Sequence, residues 1–548
     1  MHDYQESPHY RAGSSGKVEV FPAPETIVRD YDVKVPMRDG VSLAANVFRP
    51  AQQGRYPVII STSPYGKDEV DAGLRNRDIP NFHTGVYAAS DTAAWEAPDP
   101  AYWVPHGYVV IHCDTRGQWK SEGVSAPLMT SIVAEDYYDL IEWAGIQSWS
   151  DRNVGLCGVS YLAVSQWMVA PLQPPHLKAI MPWEGWINNY DFLYFGGIPE
   201  RGFTNQLETG WIGRMRNPNS EVDPADTPSE RLRHSLRDEY WSAQDNALEN
   251  IHVPAFVCGS FSDQGLHTPD SFHGYRRLGS AEKWLYTHRR LKWEVFYGEQ
   301  DLQRRFFDCF LKHVENGMRE TPRVHLEVYE NRETFKTLAA GNWPVEGTQY
   351  FPFHLDVERK ALRSTAVAQP VETTYRADGS ERVTFDLDFK ADTDIVGHAK
   401  LKLWVSADEA DDIDLFVGLQ KLDANGDQVF FYGQTGSNAN DLVARGWLRV
   451  SHRELDQKRS TEWLPVHTHR REQKLTPGEI VSVEIEILPS ATTFRAGERL
   501  RLVIQGATIL PGAPWIDFDT SNCGATRVHA GGQFDSYLLL PILTHPGG

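Results

Sequence analysis

The stretch Val154–Trp167, VGLCGVSYLAVSQW, sets a single serine, Ser160, between an apolar run and a helix-forming segment. VGLCGV is short, apolar and continuous, as a buried parallel strand requires. The following YLAVSQWMVA reads as a helix. A serine on the tight turn between such a strand and helix is how an α/β-hydrolase presents a nucleophile. Gly158 and Ala163 are small enough for that turn, although the position two beyond the serine, commonly glycine, is Leu162. The helix N-terminus would favour negative charge developing beside Ser160.

The rest of the chain sets the bounds. Its 548 residues, 41% hydrophobic and 23% charged, describe a globular protein too long for one small domain. A formal charge of −20 argues against a nucleic-acid partner, which needs a basic surface, and disfavours an anionic membrane. No run approaches the roughly 18–20 apolar residues of a membrane span. The N-terminal segment shows neither the basic nor the apolar region of a signal peptide. The five cysteines, Cys113, Cys157, Cys258, Cys309 and Cys523, are odd in number and scattered. They read as free thiols in a cytoplasmic protein. A homo-oligomer is left open.

Four further apolar runs flank the serine strand: YPVIISTSPYG from Tyr56, GYVVIHCDTRG from Gly107, LKAIMPW from Leu177 and VPAFVCGSFSD from Val253. AEDYYDLIEWAGIQ lies among them with helical spacing, so the first half predicts a doubly wound α/β sheet. Between residues 188 and 250 the strand pattern gives way to aromatic, loop-rich sequence, with SERLRHSLRDEYW (Ser229–Trp241) reading as a helix. This predicts a helical cap over the site. Beyond Trp343, segments such as ERVTFDLDF, AKLKLWVSA, IVSVEIEILP and RLRLVIQGA alternate apolar and polar residues, as in a β-sandwich of jelly-roll type. The expected domains are therefore 1–187 with 251–345 (α/β-hydrolase), 188–250 (helical cap) and 346–548 (jelly roll).

A serine hydroxyl needs a base and a carboxylate to orient it, and in this fold they follow in the order Ser, Asp, His. Asp263 stands where the apolar run from Val253 ends; its rival Asp270 lies further along, in the next helix. The run KWLYTH ends in His288, which completes the order. His106 and His112 precede the serine, and His267 follows Asp263 too closely to come from the next strand-end loop, leaving it a pocket-lining role. The oxyanion donors would be the backbone N–H of Tyr161 and, from SPYGK, Tyr65. His467 and His469 lack the further ligands of a zinc site, and DANGD (Asp423–Asp427) reads as a hairpin turn with Gln434 where a calcium loop would need a glutamate. Neither metal nor cofactor is expected.

Together these residues resemble the α/β-hydrolase family of cocaine esterase and X-prolyl dipeptidyl-peptidase. SPYGK is similar to its oxyanion-tyrosine segment, DTRGQWKSEG (Asp114–Gly123) to its D-x-R-G-x-x-x-S-x-G motif, with Arg116 and Ser121 in place. The C-terminal half, including GWLRVSHRE, resembles the family's jelly roll. The resemblance implies a serine hydrolase with Ser160 as nucleophile, His288 as base, Asp263 as its orienter, and Tyr65 OH with Tyr161 N–H as oxyanion hole. The family elbow, G-x-S-Y-x-G, places its second glycine at Ala163, and its G-P-W-x-H becomes WLYTH here.

The substrate follows from what lines the site. Members that cut dipeptides are longer, and those that cut α-amino-acid esters place acids after the catalytic Asp, where this chain has Gln264-Gly265-Leu266. Glu184 and Asp191 are the remaining acids on the approach to the cap. Trp183, Trp186, Tyr190, Phe192, Tyr194 and Trp211 are candidate pocket walls, in competition with plain cap packing. An aromatic, uncharged pocket favours a small-molecule carboxylic ester with an apolar or aromatic acyl group. The alternatives are an amidase, aminopeptidase or acyltransferase and, from another class, a catalytically silent carbohydrate-binding protein.

Overall fold

The computed structural model describes residues 18–68, 85–126, 130–205, 213–224, 227–433, 440–510 and 517–544. Trp211 and Gln434 fall outside them.

The apolar runs form one twisted sheet. Its strands are β1 (Ile27–Pro36), β2 (Ser42–Pro50), β3 (Tyr56–Ser63), β4 (Val109–Asp114), β5 (Ser150–Val159), β6 (Leu177–Trp183), β7 (Ala255–Ser260), β8 (Lys283–His288) and β9 (Val324–Tyr329). They lie in the order β1-β2-β4-β3-β5-β6-β7-β8-β9, antiparallel from β1 through β4 and parallel from there on. Helices α1 (Ser131–Gly145), α2 (Tyr161–Val169), α3 (Thr268–Arg277), α4 (Lys292–Gly298) and α5 (Gln300–Leu311) cover it. Every residue of β4 and β7 is buried, which is why these runs are apolar on both faces.

Register aligns the carboxyl ends of the strands. Ser63 pairs with Asp114, Val159 with Trp183, and Ser260 with His288. Whatever follows these residues in sequence therefore meets along one edge of the sheet, where open α/β sheets hold their chemistry.

The D-x-R-G motif braces that edge. Asp114 accepts from the backbone N–H of Lys67 at 2.7 Å, holding the SPYGK loop beside β4. Burial, opposed by Lys67, pushes its carboxyl up to about 7. Arg116 clamps Asp136 on α1 at 2.7 and 2.5 Å and Asp39 at 2.8 Å. Ser121 Oγ donates to the Asp114 carbonyl at 2.7 Å and accepts from Ala44 N–H. This is a structural lock for the loop.

The described residues between 188 and 250, the expected cap, include short helices at Asn189–Leu193, Pro228–Arg231 and Glu239–Ser242. The helix expected over Ser229–Trp241 is broken, because the Asp238 side chain accepts from Tyr240 N–H and starts a new helix there. Tyr190 stacks on Tyr194 at 5.0 Å and both meet Trp241 edge-on, within the apolar core that this segment shares with the sheet.

The second half is an antiparallel β-sandwich. Strand Thr393–Ala407 pairs with Val481–Phe494, Ala525–Ala530 and Tyr537–Leu543, opposite a sheet of Arg382–Asp388, Arg499–Gln505, Asp414–Leu422 and Ala444–Arg449. Their inward residues, Leu401, Leu403, Leu415, Val417, Ile485 and Leu502 among them, form a separate apolar core. Asp423–Asp427 is the turn of a hairpin, with Asn425 and Asp427 N–H groups donating to Asp423 Oδ1. The sandwich touches the catalytic edge through two carbonyls, Leu442 and Val443. Gln264 donates to both at 3.3 Å, and Arg289 donates to Leu442 and, at 3.2 Å, to Val443. The four described cysteines of the catalytic half are buried and free, and Cys523 is exposed and free. No described helix is long and apolar enough to cross a membrane.

Candidate active site

Ser160 sits at the sharp turn between β5 and α2 with φ 58° and ψ −119°, a strained conformation that over-determined packing must hold. Its N–H donates to the carbonyls of Trp183 and Glu184 at 3.0 and 2.9 Å, and Val159 N–H donates to Glu96 at 3.0 Å. Gly158, at φ 152°, lies so close to Leu162 that an added Cβ would fall 2.5 Å from the leucine Cβ. The glycine absent from position 163 has its counterpart across the turn. A Cβ on Gly185 would meet Ala163 Cβ at 2.8 Å and the Ser160 carbonyl at 3.0 Å. Gly185→Ala is therefore expected to cost about 1–3 kcal/mol by overpacking, read as a lower denaturation midpoint; an unchanged midpoint would refute this account of the elbow.

The serine is 5% exposed and meets a histidine: Ser160 Oγ lies 3.3 Å from Nε2 of His267. The other ring nitrogen, Nδ1, is 2.5 Å from Oδ2 of Asp263. His267 reaches this place because the loop after β7 closes into a turn, in which the N–H groups of Leu266, His267 and Thr268 all donate to the Asp263 carbonyl. That turn carries the chain into α3 and brings residues four apart onto each other.

His288 does not join them. It ends β8 fully buried, with Nε2 3.0 Å from Glu184 Oε1, and Glu184 Oε2 accepts from Ser260 Oγ at 2.5 Å. The expected base thus pairs with the acid that follows β6, because its strand neighbour in register is Ser260 rather than the loop that holds Asp263. Asp270, the rival acid, lies in α3 and accepts from Ile187 N–H at 2.9 Å.

The thiol of Cys258 joins Glu184 and His288 in a group whose ligand atoms lie within 4.8 Å of one another. Arg290 N–H donates to His288 Nδ1 at 3.2 Å. His469 lies in the cap-facing core with its Nδ1 3.1 Å from His452 Nδ1, and His467 is its ring neighbour.

Around the serine, Tyr65 is buried beside Ser160, and its ring lies edge-on to Tyr161. Burial first, and then the nearby Glu96 carboxyl, push the phenol above its usual range, so it stays a proton donor. Tyr161 opens α2 directly after Ser160. Trp186 stacks on His267 at 5.9 Å and on Phe192 at 4.2 Å, whereas Trp183 turns into the core against Tyr286 and Phe296. Two charged residues escaped sequence reasoning. Lys292, at the start of α4, places Nζ 2.8 Å from Asp263 Oδ2 and 3.0 Å from His267 Nδ1. Glu96 accepts from Trp293 Nε1 at 3.0 Å, and burial pushes its carboxyl up to about 8 against the pull of Lys292.

Asp263 is held well below the usual carboxylate range: burial alone would raise it, but Lys292 and His267 outweigh that cost. His267 is lowered, by burial first and then by the charge of Lys292, with Asp263 and Glu184 pulling the other way.

A strained serine at a strand–helix turn of this sheet defines an α/β-hydrolase, and its chemistry is that of a serine hydrolase. Comparison with known proteins narrows the class. A family model described as X-Pro dipeptidyl-peptidase (S15 family) matches residues 39–291, and one described as X-Pro dipeptidyl-peptidase C-terminal non-catalytic domain matches residues 316–539. A solved CocE/NonD family hydrolase from Staphylococcus aureus is 40% identical, with 94% of each chain covered and a TM-score of 0.89. Cocaine esterase from Rhodococcus sp. (strain MB1 Bresler) is 23% identical over 93% of this chain and 98% of its own. An α-amino acid ester hydrolase shares the fold, at 18% identity over 95% and 98% of the two chains with a TM-score of 0.65. The chain belongs to the CocE/NonD family of hydrolases.

Proposed function

We propose that the protein hydrolyses a carboxylic ester through an acyl-enzyme on Ser160, with His267 as general base and acid and Asp263 as its orienter. The observation that carries this reading is the unbroken line from Ser160 Oγ to His267 Nε2 and from Nδ1 to Asp263. His267 takes the serine proton at Nε2 as Oγ attacks the carbonyl carbon, then gives it to the departing alkoxide. Water repeats the sequence to release the acid. The Tyr65 hydroxyl and the Tyr161 N–H supply the oxyanion donors, and residues 188–250 serve as a cap that keeps water from the acyl-enzyme.

Ester is favoured over amine-bearing amide because the acids suited to a substrate ammonium are engaged elsewhere. Glu184 binds His288 and Ser260, and Asp191 is tied to Asn188 at 2.7 Å with Arg237 at 3.6 Å. Gln264 faces the sandwich. Trp186 and Phe192 give an aromatic wall beside His267, suited to an apolar or aromatic acyl group. A fluorophosphonate probe is expected to label the wild-type protein at Ser160 alone, mapped by peptide mass; an adduct on another residue would overturn the nucleophile. Across a panel of p-nitrophenyl esters and aminoacyl p-nitroanilides the esters are expected to turn over faster. Faster anilide cleavage would move the assignment to an aminopeptidase.

A further inference from the structure

Lys292 is a cation in an expensive place. It is the first residue of α4, where the helix dipole disfavours positive charge, and its side chain is 3% exposed. A buried lysine persists only with a partner, and here the partner is Asp263, at 2.8 Å. The oxygen that holds the lysine is the one that holds His267, so Oδ2 accepts from two nitrogens that are themselves 3.0 Å apart. In a serine triad the carboxylate ordinarily faces the imidazole with its whole charge, which favours the imidazolium. Here an ammonium balances that charge from the same side of the ring.

We propose that Lys292 is a positioning residue that, by sharing Asp263 with His267, keeps the imidazole unprotonated and ready to accept the serine proton in mildly acidic solution. The proposal rests on His267 being the base. The groups facing the ring are few. Asp263 comes from its own loop, Lys292 from α4, Glu184 from the end of β6 and Ser160 from the elbow. Glu184 is committed to His288 and Ser260, and Glu96, across Lys292, is neutral over most of the range below its value of about 8. The only cation among these is Lys292. Its charge lies on the Nδ1 side, while the travelling proton is carried on Nε2. It therefore leaves the transfer path open and makes the imidazolium a stronger acid toward the leaving alkoxide. Burial of the ring and this charge act in the same direction on His267.

The test is the pH profile of kcat/KM for a p-nitrophenyl ester in the wild type, Lys292→Met and Lys292→Arg. Removing the charge should move the acid limb to higher pH by roughly one to two units, and arginine, which keeps the charge, should bring it back toward the wild type. A limb left in place by Lys292→Met, with activity lowered equally at every pH, would show a purely structural role and overturn the proposal. Because the methionine variant leaves Asp263 buried without its cation and is at risk of misfolding, a second measurement uses the wild type alone. His267, followed by NMR of its ring protons, should titrate below the ordinary histidine value of about 6.5; titration at or above it would also overturn the proposal. Failure of the underlying reading looks different: His267→Ala would then retain both activity and the acid limb.

Discussion

His267→Ala lowers kcat by about 10⁵–10⁶-fold, the loss expected when the base of a serine triad is removed, while His288→Gln leaves it within about tenfold, or 1.4 kcal/mol of barrier. The contrast follows from partners. His267 touches Ser160 and Asp263, and on the proposed mechanism the serine proton has no acceptor without it. His288 touches Glu184, and glutamine still offers that buried carboxylate a donor. His288→Ala is a different experiment: it leaves Glu184 with only the Ser260 hydroxyl and should destabilise the fold by about 1–3 kcal/mol. Stopped-flow acylation on purified, folded variants separates the two effects, and a ranking in which His288→Gln is the inactive enzyme would transfer the base to His288.

Tyr65→Phe lowers kcat by about 10²–10³-fold with little change in KM. The substitution removes one hydroxyl and keeps the ring that packs edge-on to Tyr161, so the fold is not at stake. The effect falls on kcat because the phenol donates most strongly to the charge that develops on the carbonyl oxygen, not to the neutral ester. Tyr65 lies beside Ser160, the proposed nucleophile. Steady-state kinetics on one p-nitrophenyl ester suffices, and an unchanged kcat would leave the oxyanion to backbone N–H groups.

The central strands of the sheet were legible because they are largely buried on both faces and leave continuous apolar runs. The places of Ser160, Tyr65 and Asp263 were legible for a related reason: each follows such a run at the carboxyl edge. The histidine that meets Ser160 was not. KWLYTH ends on an attractive residue, and strand-end logic favours it, but the partner is settled by how the loop after Asp263 turns. The available signal was the D-x-x-x-H spacing followed by Thr268-Pro269, a helix start that stacks Asp263 and His267 on one turn. Lys292 and Glu96 were hidden more deeply. Charged residues are normally placed at the surface by any reading of sequence, and only the folded chain shows that these two are enclosed together. In the cap, a helical pattern over Ser229–Trp241 lost to a local competitor, the Asp238 side chain capping Tyr240.

The two sandwich carbonyls at Leu442 and Val443 bear on how such chains can be rebuilt. They receive Gln264, next to Asp263, and Arg289, next to His288, so neighbours of both buried carboxylate–histidine pairs are moored to a single point on the other module. A chimera carrying a relative's C-terminal half would exchange the anchorage of the acid loop together with the domain. The two halves are best regarded as one mechanical unit, to be recombined only with that mooring kept intact.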